Sequence, residues 1–332
     1  MRIFRHYDRL PPAATRGVVA IGNFDGVHRG HQAVIGEAVR RARAIGAPAG
    51  VLTFEPHPRR FFKPEIAPFQ LTRLRTKARI MKELGVDVLY ILRFDRRLAA
   101  LSAETFIDDV LVNGLRVRHV AVGYDFVFGQ GRRGTPELLR ARLAGNGIET
   151  TIMPPVALAE AEPDTELEAQ IYSSTAVRDA LKQGDPRAAA RLLGRAFEIE
   201  GRVQQGDRRG RQLGFPTANI WLGDYVRPRL GVYAVRVRIA DRAGVISRDG
   251  VANLGMRPTF GGTEPRLEVH LFDWAGDLYG RLLCVDLIEF LRPERKFDGL
   301  EALKAQIAAD VEAARIALAA PAPARRRPRP TL

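Results

Sequence analysis

The period of the hydrophobic pattern changes once along this 332-residue chain, between residues 185 and 196. Before that point, apolar and β-branched runs occur at Gly17–Gly22, Gly50–Phe54, Val86–Phe94 and Val117–Gly123, and more weakly at Ile148–Met153. They alternate with stretches of helical period at His31–Ile45, Thr76–Leu84, Ala103–Val112 and Pro136–Leu143. After an acidic stretch, Ala159–Ala169, two more helices are expected at Ser173–Gln183 and Asp185–Leu193. Strand and helix in turn predict an α/β domain, a parallel sheet with helices on both faces. From Phe197 the runs alternate in twos: Phe197–Val203, Val232–Ile239, Gly250–Asn253, Leu267–Phe272 and Leu282–Phe290. Gly-rich turns and no helical pattern lie between them, which predicts a small antiparallel all-β barrel. Asp298–Leu318 then carries Leu300, Leu303, Ile307 and Val311 on one helical face, a terminal amphipathic helix.

Composition narrows the function classes. With 46% hydrophobic and 27% charged residues, disorder as the dominant state is excluded and each half can build its own core. The net charge of +14 raises the question of nucleic acid. Arginine is spread along the chain, however, and its one dense cluster is Arg325, Arg326, Arg327 and Arg329 in a Pro/Ala-rich tail expected to be unstructured. Without zinc-finger spacing or an aromatic-rich RNA-binding signature, no nucleic-acid partner is expected. The same field attracts anionic small molecules such as ATP. The single cysteine, Cys284, excludes an intrachain disulfide and a multi-thiolate zinc site, and fits a reducing cytosol. No apolar run approaches the ~18 residues of a membrane span and the N-terminus is not a signal peptide, so no membrane association and a cytoplasmic location are expected.

The first chemical constellation is GNFDGVHRGH, Gly22 to His31, where the first strand gives way to the first helix. Ligands of open parallel sheets bind at the carboxyl ends of strands, and a helix N-terminus there offers N–H groups to phosphate. Gly22, Gly26 and Gly30 allow sharp turns and close approach. His28 and His31 can face one ligand, where imidazole donors would bind charge developing on a transferring phosphate. The alternative is two capping or surface histidines. GQGRRG, Gly129 to Gly134, matches a dinucleotide fingerprint but follows the wrong strand and lacks its acidic partner, and there is no Walker A sequence. At IYSSTAVR, Ser173, Ser174 and Thr175 open a helix; their hydroxyls suit capping, and Arg178 one turn on suits phosphate.

The second constellation is GRQLGFPTANI, Gly210 to Ile220, which Pro216 keeps from being a strand interior. Thr217 and Asn219 offer neutral oxygens, a partial shell for Mg²⁺. Gly201, Gly206 and Gly210 surround a basic loop, Asp207 to Arg209, shaped to cover phosphates. Glu268 lies in the alternating run RLEVHLFD, where a carboxylate could accept a hydroxyl proton; spacing alone favours an outward-facing barrel residue.

Together with TFEPHPR (Thr53–Arg59), GYDFVFGQGRRG (Gly123–Gly134), NLGMRPTF (Asn253–Phe260), DLYG (Asp277–Gly280) and FLRPERKF (Phe290–Phe297), these segments resemble the prokaryotic bifunctional riboflavin kinase/FAD synthetase family over nearly all of residues 17–315. The resemblance implies a Rossmann-like FMN adenylyltransferase domain (1–185), a linker (186–196) and a riboflavin kinase barrel (197–319); the basic tail (320–332), expected to be unstructured, has no counterpart in the family pattern. It implies phosphorylation of riboflavin to FMN by ATP, then transfer of AMP to FMN, giving FAD and pyrophosphate, with Mg²⁺ as cofactor. It further implies that His28, His31 and Arg178 are catalytic in the first domain and Glu268 is the general base of the second. Nucleotide contacts are implied for Gly22, Asn23, Phe24, Asp25, Gly30, Ser173, Ser174, Thr175, Gly201, Gly210, Thr217 and Asn219, metal contacts for Thr217 and Asn219, and flavin contacts for Asp125 and Arg292. Two rival readings exist: a nucleotidylyltransferase for another cofactor with a non-catalytic barrel, and a basic RNA-binding protein. The first leaves PTAN and Glu268 without a use; intact His28, His31, Arg178, Thr217 and Glu268 argue against the second.

Overall fold

The computed structural model describes residues 1–156, 171–205, 214–241, 244–259 and 262–319. The acidic stretch, the basic loop with Gly206 and Gly210, and the 320–332 tail lie outside these residues. The described residues divide into two compact units: 1–67 with 74–173, and 68–73 with 174–319.

The first unit is a six-stranded sheet of β1 (Arg2–Phe4), β2 (Val18–Ile21), β3 (Ala49–Glu55), β4 (Val88–Arg93), β5 (His119–Gly123) and β6 (Glu149–Met153), in the order β1-β4-β3-β2-β5-β6. Every pairing is parallel. Both faces are covered, so successive residues of one strand feed two different cores. Val19, Ile21, Leu52 and Val120 pack with α6 (Pro136–Ala144) and with a helix that begins as α5 (Ala103–Thr105) and continues as a π-helix over Phe106–Leu115. Val18, Ala20, Val51 and Ala121 pack with α1 (Arg29–Ala44) and α3 (Leu74–Glu83). This is the α/β arrangement the alternating pattern predicts. The three-residue β1 and the short helices α2 (Pro58–Phe62) and α4 (Arg96–Ala99) escape it, being too short to show a period.

In this strand order the chain runs from β2 outward through β3 and β4, then returns to add β5 and β6 on the other side of β2. The strand order therefore reverses between β2 and β5, and open α/β sheets bind ligands outside the carboxyl ends of the strands at such a point. Gly22–His28 leaves β2 at that point, and Tyr124 and Asp125 leave β5 there.

The second unit opens with α7 (Ser174–Gln183) and α8 (Pro186–Leu193), so most of the expected linker is helix. An antiparallel sheet follows: β7 (Phe197–Arg202), β8 (Ala218–Trp221), β9 (Gly231–Asp241), β10 (Gly244–Thr259), β11 (Gly262–Leu271) and β12 (Leu282–Arg292), ordered β7-β12-β9-β10-β11-β8. The edge strands meet at an isolated bridge between Gln204 and Asn219, which curls the sheet into a barrel. Gly201 permits that approach: a Cβ there would lie 2.4 Å from the Ile220 side chain. One face of the strands, with Ile199, Val237, Leu254, Leu267 and Val285, forms the barrel core. The other face of β9 and β10 carries α9 (Leu300–Ala319) on Val232, Ala234 and Val251.

Three expectations change. PTAN is not excluded from the ladder: Pro216 stays outside it, but pairing starts at Ala218, two residues on. β10 spans 16 residues instead of Gly250–Asn253, because Gly255 and Pro258 hide the alternation without breaking the pairing. The packed face of α9 is Val311, Ala314 and Leu318, whereas Leu300 is 64% exposed.

Candidate active sites

In the first unit the loop after β2 turns three times through left-handed backbone: Phe24 (φ 48°), Gly26 (φ 85°) and Val27 (φ 44°). For a β-branched valine this is a strained conformation, costing on the order of 1–3 kcal/mol. Burial holds it, since Phe24 is 2% exposed and Val27 fully enclosed. The loop delivers His28 to the N-cap of α1, where its Nδ1 accepts the His31 N–H at 3.3 Å. A ring nitrogen that accepts does not carry a proton, which in a neutral imidazole leaves Nε2 as the donor. The His28 and His31 rings stack with centroids 3.6 Å apart at 22°, and Phe24 meets His31 edge-on at 5.3 Å. The capping reading of the pair is thus observed, and the hydrogen bond that caps the helix also brings the two rings together. Gly30 suits this packing, because a Cβ would sit tightly, 3.2 Å from the His28 ring and 3.3 Å from the Tyr172 carbonyl oxygen. Gly22, by the same measure, makes room for the Phe24 ring at 3.1 Å.

Gly22, Asn23, Phe24, Asp25, His28, Gly30 and His31 therefore form one loop and helix start, with Asp25 buried and Asn23 exposed. Asp125 is exposed on the segment after β5. Sequence reading missed an aromatic group in this unit: Phe61, Phe62 and Phe94 pack edge-on at 5.2–5.6 Å, with Phe54 against Phe94 at 6.0 Å. Phe62 is 64% exposed, although the apolar doublet Phe61-Phe62 between Pro58 and Pro64 could have signalled it. Ser173 ends the chain of the first unit, while Ser174, Thr175 and Arg178 start α7 in the second. There the Arg178 guanidinium donates to the Phe69 carbonyl at 2.8 Å and lies over the Phe69 ring at 5.5 Å.

In the barrel, register lines up one row of side chains. Asn219 of β8 pairs with Glu268 of β11, Glu268 pairs with Asn253 of β10, and Asn253 pairs with Val232 of β9. Directly paired residues of an antiparallel ladder leave the same face with Cβ atoms ~4.5–5.5 Å apart. Because Val232 packs against α9, Glu268 lies on the outer face of the barrel, the face that this helix also uses. The outward-facing and functional readings of Glu268 are thus not opposed. Asn219 is 6% exposed, and its backbone carbonyl accepts the Gln204 N–H at 2.9 Å. His270, two residues after Glu268, has Nδ1 2.9 Å from the Pro216 carbonyl oxygen and so fastens the turn carrying Thr217. Asn253 and Glu294, joined by an N–H···O bond of 3.3 Å, add polar groups that sequence reading did not single out.

Arg292 is held differently. Its guanidinium makes a two-pronged pair with Asp310 of α9 at 2.8 and 2.6 Å, and Gln306 donates to the same carboxylate at 2.8 Å.

Oxygen donors suited to a hard cation are present at Thr217 and Asn219, with the Glu268 carboxylate next to Asn219 in the ladder. Among the described residues Glu198, Glu200 and Cys284 also lie close enough together to share a cation. Arg238 already occupies that cluster through Glu198 and Asp286.

A family model described as FAD synthetase matches residues 10–164, and one described as riboflavin kinase matches residues 193–318. The bifunctional riboflavin kinase/FMN adenylyltransferase of Pseudomonas fluorescens is 47% identical over 97% of this chain and 99% of its own. The proteins of that name from Escherichia coli K12 and Bacillus subtilis are 46% and 38% identical, over 95% and 90% of this chain and 97% and 92% of theirs. A solved structure titled a macrolide-efflux protein, from Streptococcus pneumoniae, superposes with TM-score 0.80 at 32% identity, covering 94% of this chain and 98% of that one. No helix among the described residues of the present chain is long and apolar enough to cross a membrane.

Proposed function

The chain belongs to the bifunctional riboflavin kinase/FMN adenylyltransferase family, and from that premise we propose which residues carry each of its two reactions. It phosphorylates riboflavin to FMN with ATP, then adenylylates FMN to FAD with release of pyrophosphate. The kinase site is the outer-face row of the barrel, and the adenylyltransferase site is the loop Gly22–His31. The observation that carries the assignment is the ladder pairing of Glu268 with Asn219.

In the kinase, the ribityl 5′-hydroxyl of riboflavin attacks the γ-phosphorus of ATP and ADP leaves. Glu268 takes the hydroxyl proton, a carboxylate placed beside the phosphate-binding Thr217 and Asn219. Those two residues would hold Mg²⁺, which neutralises charge on the phosphates when bound. His270 keeps Thr217 in place through the Pro216 carbonyl. Gly201 contributes by close backbone approach, and Gly210 belongs to the same reading. Arg292 acts on the flavin side indirectly, by fixing α9 against the last barrel strand.

In the adenylyltransferase, an FMN phosphate oxygen attacks the α-phosphorus of a second ATP and pyrophosphate leaves. His28 and His31 donate to oxygens of the α-phosphoryl group as negative charge builds on it. The α1 N-terminus supplies N–H groups, and Gly22, Asn23, Phe24, Asp25 and Gly30 shape the approach. Ser173, in the same unit, holds a further phosphate oxygen. Phe62, with Phe61 and Phe94 behind it, offers a flat apolar platform for the isoalloxazine ring, and Asp125 meets the flavin from the end of β5. ATP as co-substrate and a single thiol fit a cytoplasmic enzyme; nucleic acid has no part in this reading.

Incubation with ATP, Mg²⁺ and riboflavin, followed by chromatography, tests the function as a whole. FMN should appear first and FAD after it. Neither product would overturn both halves, and FMN without FAD would overturn the adenylyltransferase half.

A further inference from the structure

Lys77 is the buried cation that the adenylyltransferase reading leaves without a task. It lies on α3 with Thr76, Ile80 and Met81 against the core of the sheet, and only 2% of its surface is exposed. Taking an ammonium out of water costs several kcal/mol unless partners compensate. A methionine of similar length would fill the same space without that cost. The polar head is therefore retained for what it touches. Its Nζ donates to the backbone carbonyl of Asn23 at 2.9 Å and lies 3.5 Å from the Glu55 carboxylate. The Asn23 carbonyl accepts a second bond, from the Thr53 hydroxyl at 3.2 Å, and Thr53 is fully buried on β3.

These two donors grip the loop where its left-handed stretch begins. The carbonyl they hold belongs to the peptide that leads into Phe24, the first of the three left-handed residues. The Phe24 ring abuts His31, and His31 stacks on His28. A hydrogen-bonded peptide cannot rotate to relieve the φ of Phe24 without losing both bonds. If it did rotate, the Phe24 ring would swing and the imidazole pair would lose its backing. We propose that Lys77, with Thr53, is a positioning residue of the adenylyltransferase: it fixes the Asn23–Phe24 peptide and so holds His28 and His31 in line for the α-phosphate. The inference rests on the assignment of that histidine pair to adenylyl transfer.

Such a residue acts on geometry at the transition state more than on the binding of nucleotide. A displacement of about 1 Å at reacting groups costs on the order of 10²-fold in rate. In the full-length chain, Lys77→Met should lower kcat for FAD formation from FMN by about 10–100-fold. Its KM for ATP should stay within about threefold, and riboflavin phosphorylation should be unchanged. Thr53→Val removes the other donor without changing size and should give a selective kcat loss of the same kind, smaller at about 3–10-fold. His28→Ala with His31→Ala is measured alongside. If that double variant still makes FAD, the histidine assignment fails. If it is inactive while Lys77→Met keeps more than half of the normal kcat, the Lys77 proposal alone is overturned. Should Lys77→Met lose both activities through misfolding, Thr53→Val decides: a selective kcat loss supports the proposal and a normal kcat overturns it.

Discussion

Asn219 and Glu268 are direct partners in the β8–β11 ladder, so an amide and a carboxylate some fifty residues apart in sequence leave the same face of the barrel side by side. That juxtaposition gives Glu268 a reason to be acidic. In the proposed kinase site a primary hydroxyl must lose its proton as it attacks the γ-phosphate, and an acceptor beside Thr217 and Asn219 would lower the barrier. Glu268→Gln keeps size and hydrogen bonding but cannot accept the proton. Riboflavin phosphorylation should fall by roughly 10²–10⁴ with little change in riboflavin binding. Adenylylation of supplied FMN should be unaffected. Phosphorylation above about a third of the normal rate would show that the general-base role is wrong.

The histidine pair carries the complementary expectation. With His28 capping α1 and His31 stacked on it, removal of both rings would delete the proposed donors to the α-phosphoryl group and leave the barrel untouched. His28→Ala with His31→Ala should abolish FAD formation from FMN while riboflavin phosphorylation stays near normal. Loss of both activities in parallel would contradict the assignment to one reaction.

How much of this was legible in the sequence depended on the range of the signal. The β2 run ends at Gly22 and helical period begins beside His31, so the strand–loop–helix junction and its histidines could be read locally. Ladder register could not. Nothing in RLEVHLFD or NLGMRPTF says that Glu268 and Asn253 are partners, because register is set by the whole curled sheet. Lys77 looks like any solvated cation in LRTKARIMKE, between Arg75 and Arg79, and only the packing of α3 on the sheet buries it. On α9 the apolar pattern misled in both directions: Leu300 faces solvent, and the buried Asp310 reads as a surface residue until its partner Arg292 is known.

That Arg292–Asp310 pair ties the last barrel strand to the helix covering the outer face, and Asp310 is only 6% exposed. Asp310→Asn keeps the shape but removes the charge facing a largely enclosed guanidinium. Breaking such a pair on one side costs about 3 kcal/mol. Denaturant unfolding should show the kinase half destabilised by that amount, and riboflavin phosphorylation should lose thermal resistance while FMN adenylylation does not. An unchanged unfolding midpoint would mean that α9 is held by its apolar contacts alone.

The sheet domain has a stability element that depends on pH. The Arg43 guanidinium, 2.6 Å from the Asp87 carboxylate, is the main cause holding that carboxyl below its ordinary 3.8, and the Ala49 N–H bond adds to it. A carboxylate depressed on folding contributes stability that is whole above its unfolded value and is lost as pH falls through the lower folded one. Both side chains are well exposed, so the contribution is at most about 1 kcal/mol. Asp87→Asn keeps an acceptor for Ala49 but not the charge. Its melting temperature should lie below that of the unmodified chain at pH 6 and 7, and the gap should close below pH 4. A gap independent of pH would assign the effect to packing.

The central claim is that two separate sites on one chain carry the two reactions in series, and mixing the two disabled variants tests it most directly. Glu268→Gln alone, given riboflavin and ATP, should make almost no FMN and hence almost no FAD. His28→Ala with His31→Ala, given the same, should stop at FMN. Combined in one tube with ATP, Mg²⁺ and riboflavin, the two should restore FAD, because FMN made by the intact barrel of one chain is adenylylated by the intact sheet domain of the other. Accumulation of FMN without FAD in the mixture, or FAD from either variant alone at the normal rate, would contradict the account.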